Sequence, residues 1–273
     1  MYKGIFFIVF ITISYFSCAQ INYEPRPLKG GIQFGAASYH GDLCPFPDCL
    51  NASYAVGVSI RRKITKQLSF RSQFNLFRTR GDHADIGDIR SLSYRSDNLS
   101  LSFDIMADLA PEKSYFGNYN PVIPYVWTGI GGMFFNPKTQ YEDTWHELQP
   151  LSTEGVEYSR FALFIPVGIG ARFHISERLT MSIEYKYHFN FTDYLDDVSG
   201  EYIEPVRLYG TARALADRTA EHGYRPEETL DGQHWAPGAS RGNESSFDGV
   251  SMLLFSIEYE LVRPSVECPS PGR

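Results

Sequence analysis

The fold is decided by residues 178–192, which read RLTMSIEYKYHFNFT. Apolar side chains occupy every second position from Leu179 to Phe191, and polar or charged ones fill the places between them. Because successive side chains of a β-strand point to opposite faces, this stretch has one face suited to lipid and one suited to water. A soluble sheet would also alternate, but its strands usually run about 5 to 6 residues. The greater length here is typical of a tilted strand that crosses a membrane.

Seven further segments alternate in the same way. Together the eight predicted strands are about 28–40, 52–62, 67–79, 96–109, 122–135, 159–174, 178–192 and 249–262. An even number of strands, eight at the smallest, is typical of bacterial outer-membrane barrels. No apolar run after Gln20 is long enough to cross a bilayer as a helix, so a membrane-embedded chain has to be a barrel. The predicted fold class is therefore an all-β, eight-stranded antiparallel transmembrane barrel.

The connections between these segments differ in length on the two sides. Tight turns at Ile64-Thr65 and Ser176-Glu177 are predicted on the periplasmic side, whereas residues 80–95, 136–158 and 193–248 form long loops outside. Such asymmetry is typical of outer-membrane barrels. Within the last loop, residues 206–221 permit a helix.

Aromatic side chains near the strand ends predict girdles at the two membrane interfaces, although aromatics also favour any strand. The candidates are Tyr54, Phe77, Tyr94, Tyr125, Trp127 and Phe191.

Eight strands leave a lumen just wide enough for side chains to fill. The inward positions mix both signs of charge: Arg61, Arg71, Arg172, Lys186, Asp104, Asp108, Glu184, Glu258 and Glu260. Opposite charges in a narrow, dry lumen are expected to pair. We therefore expect a plugged barrel and not an open channel.

The N-terminal segment has the pattern of a secretory signal, with Lys3 before an apolar run and small residues before Gln20. We expect residues 1–19 to be the signal peptide and residues 20–263 to be the barrel, with 193–248 as its long external loop. An uncleaved anchor and a lipid-modified Cys18 are the alternatives. The proline-rich tail, residues 264–273, cannot continue a strand and is expected in the periplasm.

Export places the remaining cysteines in an oxidising compartment. Cys44 and Cys49 are close enough in sequence to close a small disulfide loop, with two free thiols or a metal pair as the alternatives. This pairing would leave Cys268 without a partner cysteine in the exported chain. The formal net charge of -7, without a basic cluster, argues against nucleic acid as a partner.

Two groups of residues raise chemical possibilities. Glu184 and His188 share the inward face of one strand, where an acid and a base could act in hydrolysis, or could belong to a satisfied lumenal network. Asp193, Asp196 and Asp197 could bind calcium through oxygen ligands, or could cap turns. The sequence contains no nucleophile elbow, phosphate-binding loop or metal-ligand spacing. We therefore predict no catalytic residues, no cofactor, no metal and no small-molecule substrate.

Two loop segments have a distinctive sequence. The first combines residues 136–138, NPK, with residues 148–155, LQPLSTEG, and the second is residues 191–199, FTDYLDDVS. Gly155 permits a positive φ at a turn, and the hydroxyl and carboxylate groups can satisfy loop amides. Tyr194 and Leu195 provide an apolar anchor. The two loops are expected to fold onto each other over the barrel mouth.

At these residues the sequence resembles the PorG-like outer-membrane barrels of the type IX secretion system, found in gliding and oral bacteria of one phylum. The resemblance runs from about Ile32 through Tyr202 and returns in the last strand; it is also carried by residues 38–43, SYHGDL, and 124–131, PYVWTGIG. The chain departs from the family pattern at Val156-Glu157, where the family tends to have Gln-Gly, and in the insert 207–246 and the tail.

The resemblance implies a non-enzymatic barrel that anchors or positions the secretion machinery at the cell outer membrane, in contact with lipid and with the periplasmic ring subunits. Its contacts with the ring would come from the turns near Thr65 and Glu177, residues 110–121 and the tail. The family-motif residues implied by the resemblance are Pro150, Thr153, Glu154, Gly155, Thr192, Asp193, Tyr194, Leu195, Asp196 and Asp197. The alternatives are a surface adhesin or stress-type barrel that binds extracellular ligands through residues 193–248, and an enzymatic barrel, for which no convincing Ser/His pair is found.

Overall fold

The computed structural model describes residues 27–44, 51–83, 90–112, 120–219, 235–243 and 248–262, and in it the chain forms a closed antiparallel barrel. The strands are β1 (Leu28–His40), β2 (Ser53–Lys63), β3 (Leu68–Asp82), β4 (Ser93–Asp108), β5 (Val122–Phe134), β6 (Pro137–Tyr141), β7 (Thr144–Glu147), β8 (Phe161–His174), β9 (Leu179–Asn190) and β10 (Gly249–Val262). Eight of them form the barrel in the order β1-β2-β3-β4-β5-β8-β9-β10, and the β1–β10 pairing closes it. The predicted fold class and all eight predicted strands are confirmed.

Two short turns with the same local chemistry connect β2 to β3 and β8 to β9. In the first, the hydroxyl of Thr65 accepts a hydrogen bond from the Leu68 amide at 2.8 Å. In the second, the hydroxyl of Ser176 accepts one from the Leu179 amide at 3.1 Å. A side-chain hydroxyl that satisfies a turn amide in this way explains why both predicted tight turns form.

The outward-facing side chains of the barrel form an apolar belt. Its most exposed members include Ile32, Ile60, Ile105, Ile130, Leu163, Ile169 and Phe189. A belt of this extent far exceeds the apolar patches of soluble monomers, and its alternation with buried positions is that of lipid-facing strands. Among the described residues, no helix is long and apolar enough to cross a bilayer.

Paired charges fill the half of the lumen toward the short turns, which we call the lower lumen (Arg61, Arg71, Asp104, Asp108, Arg172, Glu184 and Glu258). All seven side chains are buried. Arg61 and Glu258 approach to 2.6 Å, Arg172 and Asp108 to 2.9 Å, and Arg71 pairs with both Asp104 and Glu184. The expected pairing of opposite charges is confirmed for these seven residues, which pack this part of the barrel with side chains. Lys186 is buried as predicted, but it forms no ion pair with any residue of the described ranges.

Aromatic rings complete the lower lumen. The guanidinium of Arg71 lies 4.5 Å from the centre of the Trp127 ring, and that of Arg172 lies 4.6 Å from the Tyr125 ring. Both rings lie over glycines of β8: a Cβ atom on Gly168 would come within 2.5 Å of Trp127, and one on Gly170 within 2.5 Å of Tyr125. Glycine is therefore required at these two positions to make room for the rings.

Apolar side chains fill the opposite half, the upper lumen (Tyr39, Phe77, Tyr94, Met133, Phe135, Phe164 and Met252), and all of them are buried. Leu195, Val198 and Leu215 from the β9–β10 connection belong to the same hydrophobic cluster. The core of the barrel therefore continues through the mouth into the loops above it.

The predicted aromatic girdle is wrong for four of its six members. Phe77, Tyr94, Tyr125 and Trp127 are at most 4% exposed and point into the lumen, whereas Tyr54 and Phe191 are exposed. The reason is alternation: Phe77 has the same parity along β3 as Arg71, Gln73 and Asn75, which are all inward. Glu260, predicted inside, is only half-buried. It lies next to the register shift between β1 and β10, where the inward-outward alternation breaks down.

The loop predicted over residues 136–158 contains structure that alternation did not predict. The strands β6 and β7 form a hairpin, and β6 pairs with the upper end of β4 through Arg95–Lys138 and Ser96–Pro137. In the long β9–β10 connection, the helix-permissive run 206–221 forms a helix α1 only over Thr211–Ala216, after a single 3-10 turn at Pro205–Arg207.

Several predictions concern residues outside the described ranges. These are the signal peptide 1–19, the state of Cys18, Cys49 and Cys268, and the tail 264–273. Cys44 is disulfide-bonded. Its pairing with Cys49 stays a prediction.

Candidate functional site

The two particular loops meet over the barrel mouth, and we call residues 148–158 and 192–202 together with Arg241 the cap. The hydroxyl of Thr153 donates to the Asp197 carboxylate at 2.5 Å, and the hydroxyl of Tyr158 donates to its other oxygen at 2.6 Å. The rings of Tyr158 and Tyr194 stack with centroids 4.7 Å apart. The expected contact between the two loops is therefore present.

Glu154 ties the first loop to the backbone of the second. Its two carboxylate oxygens each accept one backbone hydrogen bond, from the amides of Ser199 and Gly200, both at 3.0 Å. A carboxylate held by two amides fixes the path of that backbone segment, since charge-assisted hydrogen bonds are stronger than neutral ones.

Arg241 joins three segments of the chain from a buried position, 2% exposed. Its guanidinium donates to Glu154 at 2.8 Å, to the Asp197 carbonyl at 2.6 Å and to the Ala216 carbonyl at the end of α1 at 3.1 Å. Sequence reasoning missed this residue because it lies in the insert that looked divergent, and no local pattern distinguishes one buried arginine in a polar loop.

A turn with two positive-φ residues positions Thr153 and Glu154. Gly155 has φ 71° and Ser152 has φ 44°, and the Gly155 amide donates to the Ser152 carbonyl at 2.7 Å. The predicted positive φ at Gly155 is confirmed. Pro150 lies within the 3-10 turn Gln149–Leu151 that leads into this turn.

Two buried carboxylates share one hydroxyl at the centre of the mouth. Tyr39 Oη lies 2.6 Å from Asp196 Oδ2 and 2.5 Å from Asp248 Oδ1. A hydroxyl carries one proton and can donate to only one of them, so the second short contact requires a proton on a carboxyl group. Burial raises the pKa of both Asp196 and Asp248 well above the ordinary value. Repulsion from Asp42 and Asp193 adds to this effect at Asp196, and repulsion from Asp196 adds to it at Asp248. Tyr39 and Asp248 were not singled out from the sequence.

The acidic residues of the cap and the neighbouring Asp248 accept hydrogen bonds from protein donors. Asp193 accepts from the Ser199 hydroxyl at 2.7 Å, Asp196 from the Val198 amide at 2.9 Å, and Asp248 from the Leu195 amide at 2.8 Å. Thr192 accepts from the Tyr194 amide in the same way. Across the described ranges, no cluster of His, Cys, Asp or Glu is arranged to hold a metal ion. The geometry of the cluster is that of capped turns.

Burial also perturbs Asp197. Its pKa is raised to about 6 because burial disfavours the carboxylate, while Arg241 and the hydroxyls of Thr153 and Tyr158 offset part of this effect. Closing the cap therefore stabilises the protonated form of Asp197.

His188 and Glu184 do not form an acid–base pair. Glu184 accepts from the Tyr125 hydroxyl at 2.6 Å and pairs with Arg71 in the lower lumen. His188 lies in the upper lumen, stacked on Phe164 with centroids 4.2 Å apart. Their partners are those of a packed lumenal network.

Comparisons with known proteins identify one family model and several similar solved structures. A family model described as "Domain of unknown function (DUF6089)" matches residues 3–204. No curated protein matches the sequence.

Three solved structures are similar in fold. Neisserial surface protein A (NspA) has a TM-score of 0.44 and 8% identity, over 86% of this chain and 97% of that chain. Ail, the attachment invasion locus protein of Yersinia pestis, has a TM-score of 0.41 and 9% identity over 86% and 97%. The outer membrane protein OprG from Pseudomonas aeruginosa has a TM-score of 0.42 and 9% identity over 86% and 97%.

Proposed function

We propose that this chain, which belongs to the family described as Domain of unknown function (DUF6089), is a non-enzymatic barrel of the cell outer membrane that anchors or positions the type IX protein secretion machinery through its periplasmic ring. The outer-membrane location is supported by the apolar belt and by the loop asymmetry of the barrel. The choice of this secretion machine rests on the resemblance of the two cap loops to PorG-like barrels.

The observation that carries the proposal is the double seal of the barrel. Paired charges fill the lower lumen, and an apolar core joined to the cap fills the upper lumen. A barrel filled in this way offers no path for solutes between the described side chains of its lumen. Its function would therefore come from binding at its external surfaces.

The periplasmic end offers a surface suited to a protein partner. Apolar side chains stand exposed at the tips of both short turns, where Ile64 is 48% and Ile175 56% exposed, and Leu109 in the β4–β5 connection is 63% exposed. Exposed Lys66 and Glu177 lie beside them. An apolar centre with a charged rim is the usual composition of a protein interface.

Site-specific cross-linking in native membranes tests the proposal. A photo-reactive residue is placed at Thr65 or Glu177, at the periplasmic turns, and at Asp143 or Glu204 as matched exposed positions on the outer side. We expect ring subunits to be captured from the two periplasmic positions and not from the outer ones. Capture of no ring subunit, or equal capture from both sides, contradicts the proposal. Capture of an extracellular ligand from the outer positions alone favours the adhesin alternative.

The membrane location has its own test. The protein should fractionate with the outer membrane and migrate faster in a detergent gel before heating than after, because a closed barrel resists the detergent until it is heated. Identical migration before and after heating contradicts the barrel.

A further inference from the structure

An outward-facing groove lies where the hairpin β6–β7 leans on the upper ends of β2, β3 and β4. We call it the arginine groove; it has a volume of about 620 Å³, and its lining includes Tyr54, Arg78, Arg80, Arg95 and Trp145. The hairpin, which alternation did not predict, supplies one wall through Trp145. Neither the cap nor the periplasmic surface includes these residues.

The groove lies directly above the apolar belt. The outward positions of the three strands are mostly apolar up to Val56, Leu76 and Leu99, and the next outward positions are Tyr54, Arg78 and Asp97. Arg80 lies four residues beyond Leu76, which is roughly 13 Å along a strand and about 10 Å along the axis of a tilted barrel. Arg78, two residues beyond Leu76, is about 5 Å along the same axis. Because headgroup regions are about 5–8 Å thick, the groove begins at the headgroup level of the leaflet on the long-loop side and reaches just past its outer edge at Arg80.

One arginine of the groove is already neutralised and acts as a fixed wall. Arg78 donates to both oxygens of Asp97, at 2.7 and 3.0 Å, and lies 5.1 Å from the Tyr54 ring centre. The hydroxyl of Tyr54 donates to the same carboxylate at 3.1 Å. These contacts fix the position of Arg78 and do not involve the charges of Arg80 and Arg95.

Two arginines leave their donors unused. The guanidinium of Arg95 stacks on Trp145, 3.7 Å from the ring centre, a contact that occupies its flat face and leaves its N–H edge open. Arg80 is exposed, and it has no ion pair or hydrogen bond with any residue of the described ranges. Among the described residues that line the groove, Asp82 is the one with an acidic side chain. The groove therefore carries excess positive charge in a chain whose formal net charge is -7.

We propose that the arginine groove binds a phosphorylated saccharide, in the form of the headgroup of a glycolipid of the outer leaflet. Guanidinium groups match phosphate oxygens with paired hydrogen bonds, and a stacked guanidinium is held ready to form them. Tyr and Trp side chains at the membrane interface present apolar faces with polar edges to a headgroup. The acyl chains of such a lipid would lie along Leu76 and Leu99 in the belt below. The proposal rests on the membrane orientation of the barrel but not on the secretion role.

The experiment measures binding by the full chain reconstituted in nanodiscs. The acylated, phosphorylated glucosamine disaccharide is one probe, its deacylated water-soluble form is a second, and the dephosphorylated lipid is the control. The test variant is Arg80→Gln with Arg95→Gln. The matched control is Arg207→Gln, which removes the charge of a well-exposed arginine in the outer loops. Retained heat-modifiable migration verifies that each variant is folded.

We expect the phosphorylated probe to bind the unchanged chain, and the double variant to bind about tenfold or more weakly, because charge-assisted hydrogen bonds are lost. Arg207→Gln should bind as the unchanged chain does. Tighter binding of the acylated form supports a lipid as the source, and equal binding of the soluble form supports the site with a free saccharide as the source. Absence of binding to both probes overturns the proposal. So does an equal loss in Arg207→Gln, or equal binding of the dephosphorylated lipid.

Discussion

The lower and the upper halves of the lumen are filled by opposite chemistry, although the same eight strands build both. The lower lumen is closed by charged pairs within the barrel wall, such as Arg61 with Glu258. The upper lumen is closed by an apolar core that takes Leu195 and Val198 from a loop. The lower seal is therefore part of the barrel itself, whereas the upper seal depends on contacts between loops far apart in sequence. Changes in the lower lumen should destabilise the whole barrel, and changes in the cap should open the cap alone.

The largest effect is expected from Arg71→Met. It removes the cation between Asp104 and Glu184 and leaves buried carboxylates without their partner, which costs about 3–5 kcal/mol in the free energy of unfolding. The measurement is urea unfolding in detergent micelles. The control is Arg78→Met on the same strand, whose partly exposed pair with Asp97 is worth less than about 1 kcal/mol. Equal unfolding midpoints for the two variants would contradict a lower seal made of charge pairs.

Arg241→Gln should have an effect of similar size, but confined to the cap. Its loss leaves the buried carboxylate of Glu154 without its cation, at a cost of about 3–5 kcal/mol in the free energy of cap closure. Amide hydrogen exchange at Ser199 and Gly200 should accelerate, while amides of β9 exchange as before and heat-modifiable migration is retained. The control is Arg207→Gln. If Arg241→Gln unfolds the whole barrel, the cap does not open independently of the barrel, which contradicts this account.

The cap should open more readily as the pH rises. Because the pKa of Asp197 is about 6 in the closed cap and 3.8 in its ordinary state, the closed cap binds the proton more tightly. Its contribution is fully present below pH 3.8 and is lost as the pH rises to about 6, a change of about 2–3 kcal/mol at roughly 1.4 kcal/mol per pKa unit. The raised pKa values of Asp196 and Asp248 act in the same direction.

Hydrogen exchange of the Leu195 and Val198 amides, corrected for its intrinsic pH dependence, measures this opening from acid to neutral pH. In Asp197→Asn the closed cap should not lose stability as the pH rises to about 6, because the amide side chain does not titrate. A cap that becomes more protected as the pH rises would reverse the sign and contradict this account.

The smallest effect is expected from Thr153→Val, which removes the hydroxyl that donates to Asp197. A hydrogen bond to a charged or strongly polar group contributes about 1.5–3 kcal/mol, and the remaining Tyr158 hydroxyl should place the loss at the lower end. Protease cleavage within the cap reports it. Thr144→Val in the exposed turn of the hairpin β6–β7 is the matched control and should leave cleavage in the cap unchanged.

The same contrast explains what the sequence could predict. The strands and the lower lumen follow from alternation, because the parity of one residue fixes the side of all its neighbours. Parity along β3 also places Phe77 inside, so the sequence is sufficient to exclude Phe77 from the aromatic girdle. For Tyr125 and Trp127 the signal is weaker, because neither face of β5 is clearly polar, and the glycines that accept their rings lie on β8.

The cap was predicted only as a contact between two loops. Arg241 of the cap and the two residues beneath it, Tyr39 and Asp248, come from three separate parts of the chain, and only the closed barrel brings them together. The hairpin β6–β7 escaped prediction because its strands have only five and four residues, too few for an alternating pattern to be distinctive. Contacts made by short or irregular segments depend on the tertiary structure.

Ion conductance in a planar bilayer tests the central claim, the sealed barrel, most directly. The reconstituted chain is predicted to add no steady conductance to that of the bare bilayer. Arg241→Gln is predicted to be equally silent, because the paired charges of the lower lumen close the barrel without the cap. A steady open-channel conductance from the unchanged chain would contradict the account.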